Sequence, residues 1–331
     1  MEKQYPVTIA VPVYGVEKYI ERCARSLFEQ RYKDIEYLFV DDCSPDKSIE
    51  ILKSVMEDYP ERKKRVRIIR HDKNRGLGAA RNTAVENCET EFIMHVDSDD
   101  SIEKNTVEIV MAKQAKGDYD IVSFGFNKIT GYNKIERWEK PIVHSAKELA
   151  LKTLSRRMPV CVCGALYRTS LYTDNGIRVA DGVNNSEDYC VTPRLAYYAS
   201  KACTIPDTLY NYYFANDGSF TADFSESKSR QSLKALQINE DFFQDKDDDY
   251  KEAMKRGRDV VLSSQIKGTL RNGYHKEYFS KMIKMRDRIS DDYIRALPFW
   301  EKIVYIIPNY EIATIVYRFS RYFYRLYFKL K

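Results

Sequence analysis

Apolar residues fall into short runs that alternate with helically spaced stretches, and this alternation sets the expected architecture. Val7 to Val13 (VTIAVPV) reads as a first strand. Pro12 cannot donate to a ladder, so the strand should stop there and turn outward at Tyr14 and Gly15. Tyr19, Ile20, Cys23, Leu27 and Phe28 then recur at helical spacing. A second strand is expected at Glu36 to Val40, and Ser44, Pro45 and Asp46 open a helix whose inward stripe is Ile49, Leu52, Val55 and Met56. Val66 to Ile69 repeats the plan, with the loop Asn74 to Gly78 feeding a helix over Ala79 to Asn87. Phe92, Ile93, Met94 and Val96 form a nearly continuous apolar run, the pattern of a strand buried on both faces.

Three successive strand-then-helix units predict a mostly parallel sheet with right-handed crossovers and flanking helices. Further along, a helix is expected over Asn105 to Lys116 and a strand over Ile121 to Asn127. Thr130 to Pro141 reads as an irregular hairpin region, and Val160 to Tyr167 as a small apolar stretch. A Gly, Asp and Asn-rich loop from Asp174 to Ser186 leads to a helix over Tyr189 to Ser200, and Ile205 to Tyr213 reads as a last strand. From Ser225 the pattern is helical: Leu233, Leu236, Ile238 and Phe242 in one element, Val260, Val261, Leu262, Ile266 and Leu270 in another. The expected organisation is an α/β region over 1–222 and a helical C-terminal region over 223–331.

Composition narrows the class. Of 331 residues 44% are hydrophobic and 31% charged, as in ordinary soluble proteins, while 26 tyrosines are unusually many. The net charge is +5, and the five basic residues of Ile312 to Lys331, with no acid among them, account for that excess. The remainder is close to neutral, which argues against a nucleic-acid surface. Seven cysteines without framework spacing, behind an amino terminus lacking an apolar core, point to a cytoplasmic chain with reduced thiols. Cys161 and Cys163 are close in sequence, but no second pair completes a zinc site. No run reaches the ~18 apolar residues of a membrane span.

In an open parallel sheet, ligands bind beyond the carboxyl ends of the strands. Here those ends carry Pro12 to Tyr14, Asp41 and Asp42, Asn74 to Gly78, and Asp97 to Asp100. The loop Asn74-Arg75-Gly76-Leu77-Gly78 opens a helix carrying Arg81, a place whose backbone donors and dipole favour an anion. It lacks the Lys-Ser/Thr of a Walker loop and the spacing of a dinucleotide fold. A nucleoside diphosphate suits the set: Asp41 or Asp42 can accept from base or ribose, Asp97 can reach ribose hydroxyls, Asp99 can hold a metal and Arg81 can offset charge. A sugar on that diphosphate would project toward Glu187 and Asp188, where a carboxylate can take a proton from an attacking hydroxyl.

Ile9 to Tyr14, Val40 to Asp46, Asn74 to Asn82, Asp97-Ser98-Asp99-Asp100 and Glu187-Asp188 resemble, in order and spacing, the motifs of the family 2 glycosyltransferases of the GT-A fold. The resemblance spans residues 5 to about 220. It implies inverting transfer of a sugar from a nucleotide-sugar donor, with UDP the family's common carrier, and with Mg2+ or Mn2+. By position it puts Pro12, Val13, Tyr14 and Asp41 on the base, Asp97 on the nucleotide sugar and Asp99 on the metal. Asp42, Asn74, Gly76, Arg81 and Ser98 complete the donor site, and Asp188 becomes the base with Glu187 beside it. Cys43 stands where the family often has Gly.

Ile312, Val316, Phe319, Phe323, Leu326 and Leu330 fall on one helical face, Arg318, Arg321, Arg325 and Lys329 opposite, with tyrosines at the flanks. A basic amphipathic helix of this kind suits an anionic membrane surface. The expectation is a peripheral enzyme at the inner face, elongating a cell-surface saccharide, possibly on a lipid carrier. Two other classes share parts of the pattern. A sugar-nucleotide nucleotidyltransferase would release pyrophosphate from a nucleoside triphosphate, and a non-catalytic membrane-bound binding module would turn over no donor.

Overall fold

The computed structural model describes residues 6–130, 134–214, 224–271, 276–307 and 309–329. They divide into two compact units, Met1–Thr153 with Arg157–Ser219, and Leu154–Arg156 with Phe220–Lys331. The boundary expected at 222/223 and the tip of the expected hairpin lie outside the described residues.

Nine strands of the first unit make one sheet: β1 (Val7–Val13), β2 (Ile35–Asp41), β3 (Val66–Arg70), β4 (Phe92–His95), β5 (Ser101–Ile102), β6 (Ile121–Thr130), β7 (Lys134–Trp138), β8 (Ala165–Arg168) and β9 (Ala202–Tyr213). Their order is β3-β2-β1-β4-β8-β6-β9-β5, with β7 on β6. The first four are parallel, and β8 is antiparallel to both β4 and β6. β1, β2 and β4 are buried at every position, which is why they read as unbroken apolar runs rather than alternating ones. Helices Ile20–Phe28, Ser48–Glu57, Leu77–Glu86 and Thr106–Gly117 cover the faces; the second starts at Ser48, later than Ser44 to Asp46 suggested.

The parallel half brings the ends of β1, β2 and β4 to one edge, with Val13 paired to Asp41 and Ala10 to His95. The other half is less regular. Along β6 and β9 the register shifts between Ser123, Gly125 and Phe126, so that Phe126 pairs with Tyr210 and Lys128 with Tyr212. Gly125 sits at that shift because a Cβ there would come within 2.8 Å of the Trp138 carbonyl. The helix Ala146–Leu154 lies in a stretch to which the sequence reading gave no element.

The second unit is helical. Leu236, Phe243, Leu262, Ile266 and Leu270 are buried on the helices Glu226–Phe243 and Asp248–Arg271, and Phe243 stacks on Tyr250 with centroids 5.5 Å apart. The side chains of helix Tyr310–Lys329 are described as far as Phe319. Its buried residues are Ala313 and Tyr317, whereas Ile312, Ile315 and Phe319 are 52, 58 and 62% exposed. The apolar face is therefore not the face that packs on the unit. Side chains from Ser320 onward lie outside the described set.

Candidate active site

Asp42 follows β2 and is buried, so its charge must be met by donors. Its carboxylate accepts from the backbone amides of Arg75 (2.8 Å) and Gly76 (2.7 Å), and His71 Nδ1 lies 2.7 Å away. His71 Nε2 is in turn 2.9 Å from Thr83 Oγ1. The amides that the sequence reading aimed at an anion are thus taken up by a protein carboxylate. The next donor in the loop, Gly78 N, bonds to Asn184 Oδ1 at 3.0 Å. Gly76 has φ +90° and lies so close to Asn184 that a Cβ would stand 2.2 Å from its amide nitrogen.

Asn82 extends this docking, exchanging hydrogen bonds with the backbone N–H and C=O of Val179, both at 2.9 Å. The segment from Val179 to Asn184 is thereby strapped to helix Leu77–Glu86. That strap delivers Glu187 and Asp188, in the first turn of helix Glu187–Tyr198, to Arg81.

Arg81 is the hub. Its guanidinium donates to Asp188 (2.8 Å), to Asp97 (2.9 Å) and to Glu187, joining residues more than 90 positions apart. Burial opposes the Arg81 charge, but Asp188, Asp97 and Glu187 outweigh it and hold the group protonated. Burial, then the Asp188 carboxylate, push Glu187 up from the usual carboxylate range. Asp97 and Asp188 remain partly open, with side chains 32 and 19% exposed against 9% for Glu187. Arg81 therefore sets the shape and charge of the carboxylate cluster instead of facing a diphosphate.

The acidic run after β4 separates by environment. Asp100 is buried, accepting from Tyr210 Oη (2.8 Å) and Tyr213 N (3.0 Å), and burial followed by Asp99 and Asp97 push its carboxyl well up. The same Tyr210 oxygen accepts from Asp97 N at 3.1 Å. Ser98 is buried, while Asp99 is half-buried and its backbone carbonyl accepts from Arg22, whose guanidinium lies 3.4 Å from the Tyr213 ring centroid. Asp41 is buried and accepts from Ser44 N at 2.8 Å; Pro12 and Val13 are buried at the β1 end, and Tyr14 is 48% exposed beside them. Asn74 is exposed in the loop before Gly76.

Four participants escaped the sequence reading: Tyr210, Arg22, Asn184 and Lys140. Lys140 is buried, donates to Gly164 O at 3.0 Å and lies 5.0 Å from the Phe126 ring centroid. Burial lowers its ammonium to about 8, against the pull of Cys161, Cys163 and Asp188. Between those cysteines, Val162 N donates to Asp188 Oδ1 at 3.3 Å. All seven cysteines are free thiols.

A divalent cation fits Asp99. No three His, Cys, Asp or Glu side chains among the described residues form a metal cage. Mg2+ and Mn2+ do not require one, since a carboxylate or two, phosphate oxygens and water complete their shell. Asp97 and Asp99 are the half-buried acids of the run, Asp100 being buried, and carboxylates are the donor type such an ion takes.

The sequence profile of glycosyl transferase family 2 matches residues 8–175. The chain belongs to glycosyl transferase family 2. The match covers β1 through the acidic run and ends before Glu187, so the last two carboxylates enter the site through the Arg81 contacts. Similar proteins include the uncharacterized glycosyltransferase EpsJ of Bacillus subtilis, 40% identical over 122 residues, which are 37% of this chain and 34% of that protein. Poly(ribitol-phosphate) beta-N-acetylglucosaminyltransferase TarS of Staphylococcus aureus is 29% identical over 214 residues, 64% of this chain and 36% of TarS. The chain thus spans about a third of the length of these curated relatives. The solved structure of S. aureus TarS 1-349 with UDP-GlcNAc superposes with TM-score 0.73 at 18% identity, covering 95% of this chain and 91% of that one. A mannosyltransferase from Pyrobaculum calidifontis, solved with GDP-Man and Mn2+, gives TM-score 0.55 at 16% identity, covering 95 and 87%. This family 2 chain has the GT-A fold: an α/β sheet, parallel on one side and mixed on the other, with a helical C-terminal region.

Proposed function

We propose that the chain is an inverting, metal-dependent glycosyltransferase that moves a hexose from a UDP-sugar to a hydroxyl of a growing cell-surface saccharide. The observation that carries this is the Arg81 cluster, where Asp97 on the donor side and Asp188 on the acceptor side meet within one guanidinium's reach. Inversion by single displacement needs a base for the incoming hydroxyl and charge stabilisation for the departing diphosphate. Asp188 is the base, and its carboxyl accepts from Arg81 and from Val162 N. Asp99, with Asp97 beside it, would hold Mg2+ or Mn2+, which neutralises charge on the diphosphate. Pro12, Val13, Tyr14 and Asp41 line the base pocket. Asp42, Gly76 and Arg81 fix the walls of the site, consistent with their bonding to one another's segments.

UDP-GlcNAc is the first donor to try, because it is bound in the TarS structure. Nucleotide sugars are screened with Mn2+ by UDP release and by protection against thermal unfolding. Asp188→Asn should lower transfer about 10²–10⁴-fold, the usual worth of a general base, and keep the donor-induced rise in Tm. Undiminished turnover in that variant removes the base assignment.

The acceptor reading extends to the membrane. Helix Tyr310–Lys329 presents Ile312, Ile315 and Phe319 outward beside the exposed Arg318, in a segment with no acid after Glu311. No helix among the described residues is long and apolar enough to cross a bilayer. An apolar stripe with a basic flank suits a peripheral seat on an anionic leaflet, where a lipid-linked saccharide would be met. Removing 312–331 should release the protein from phosphatidylglycerol liposomes; equal co-sedimentation of the truncated chain rejects the membrane seat.

A further inference from the structure

The strands β7, β6 and β9 form a ribbon whose one face leads out of the active site. Pairing sets Phe126 beside Tyr210 and Lys128 beside Tyr212 across β6 and β9, and Trp138 beside Phe126 across β7 and β6. Strand residues two apart share a face, so Tyr210, Tyr212 and Phe214 line up with Phe126 and Lys128. Contacts bear this out: the rings of Phe126 and Tyr210 meet edge to face at 5.3 Å, and Lys128 Nζ lies 4.7 Å from the Trp138 centroid and 4.3 Å from that of Phe214.

The inner end of this face reaches the carboxylate site through Tyr210. Tyr210 bonds Asp97 N and Asp100, as described above. On the β7 side, Lys140 lies two residues past Trp138, over the Phe126 ring, and holds the Gly164 carbonyl of the segment whose Val162 N meets Asp188. The outer end is open: Trp138 is 39% and Phe214 48% exposed, an unusual state for two large rings so close together. Phe214 is four residue steps beyond Tyr210, about 13 Å along an extended chain. That is the length of a short oligosaccharide.

We propose that this face is the acceptor-saccharide subsite, with Trp138, Tyr212 and Phe214 as a stacking platform and Lys128 and Glu136 as hydroxyl partners. The proposal rests on the transferase reading and names where its acceptor lies. The C–H faces of a pyranose are apolar and its rim is a ring of hydroxyls. Flat aromatic faces with an amine and a carboxylate between them match both features. Lys128 Nζ and Glu136 stand 3.8 Å apart at this surface, one donor and one acceptor within reach of the same sugar. Continuity favours a saccharide: the inner end of the platform, Tyr210, meets Asp97 N in the cluster where Arg81 also holds Asp188, whereas a nucleotide belongs on the β1–β2 side.

The test uses the full chain, fluorescently labelled, on a printed array of synthetic and bacterial glycans with UDP and Mn2+ present. Wild type runs beside Trp138→Ala/Phe214→Ala. Wild type should bind a set of saccharides, and the double variant should lose about tenfold or more on the same spots, the worth of two lost stacking contacts. UDP should raise Tm equally in both proteins, which shows that the variant is folded and its donor side intact. Equal binding by the variant overturns the subsite. So does a wild-type array that stays blank while UDP still raises Tm. If UDP has no effect on wild type, the transferase reading falls first and the subsite with it.

Discussion

Two groups of acids stand at the same sheet edge and are held in opposite ways. Asp97, Glu187 and Asp188 share a cation, Arg81, and two of the three keep exposed surface. Among the described residues Asp42 and Asp100 have no arginine or lysine partner within 4 Å; they are buried and satisfied by backbone amides, a tyrosine and a histidine. A carboxylate whose lone pairs are filled by fixed donors is part of the frame. One balanced by a shared guanidinium, and still open, can trade partners with a substrate. The difference separates acids that build the site from acids that work in it, even where, as with Asp97 and Asp100, they belong to one short run.

The largest break in this comparison should come from Arg81→Met. It leaves three carboxylates with no common cation, and stranding buried charge typically costs about 3–5 kcal/mol. Urea unfolding would show it as a fall in midpoint without a change in slope. Adding Asp97→Asn to the variant should restore part of the loss, because the neutral amide relieves repulsion on Asp188. A double variant no more stable than Arg81→Met would mean that the cluster is not electrostatically coupled.

Much of the frame was legible from pattern alone. Apolar runs with acids at their ends located β1 to β4, because strands buried on both faces leave no alternative for Val7 to Val13 or Phe92 to His95. Asp41, Asp42 and Asp97 to Asp100 were legible for the same reason, standing at or just past a strand end, whereas Glu187 and Asp188 open a helix. What periodicity reports is that a face is buried, not against what. Tyr210 and Asp100 are 110 positions apart and Asn184 and Gly78 are 106, so neither bond leaves a local trace. The donor amides of Arg75 and Gly76 read as an anion cradle, since nothing local marks Asp42 as their occupant. Helix Tyr310–Lys329 shows the same limit. Small Ala313 and amphipathic Tyr317 pack inward, while the larger aliphatics that dominate a hydrophobic pattern face out.

A smaller effect, and a sharper one for the comparison, is expected from Tyr210→Phe. The phenol serves two acids at once, donating to Asp100 Oδ2 and accepting from Asp97 N. Removing it leaves a buried carboxylate oxygen and a backbone amide unpaired in a ring-shaped space that stays filled, so packing is preserved and only polar satisfaction is lost. Such a loss costs about 1–3 kcal/mol, or a fall of roughly 2–4 °C in Tm for each kcal/mol in a unit of this size. If Asp100 belongs to the frame, the fall in Tm should appear with and without Mn2+ and donor alike. A variant as stable as wild type without ligand, but no longer stabilised by Mn2+ and UDP, would move Asp100 and Tyr210 from the frame to the working acids and erase the distinction between the two groups.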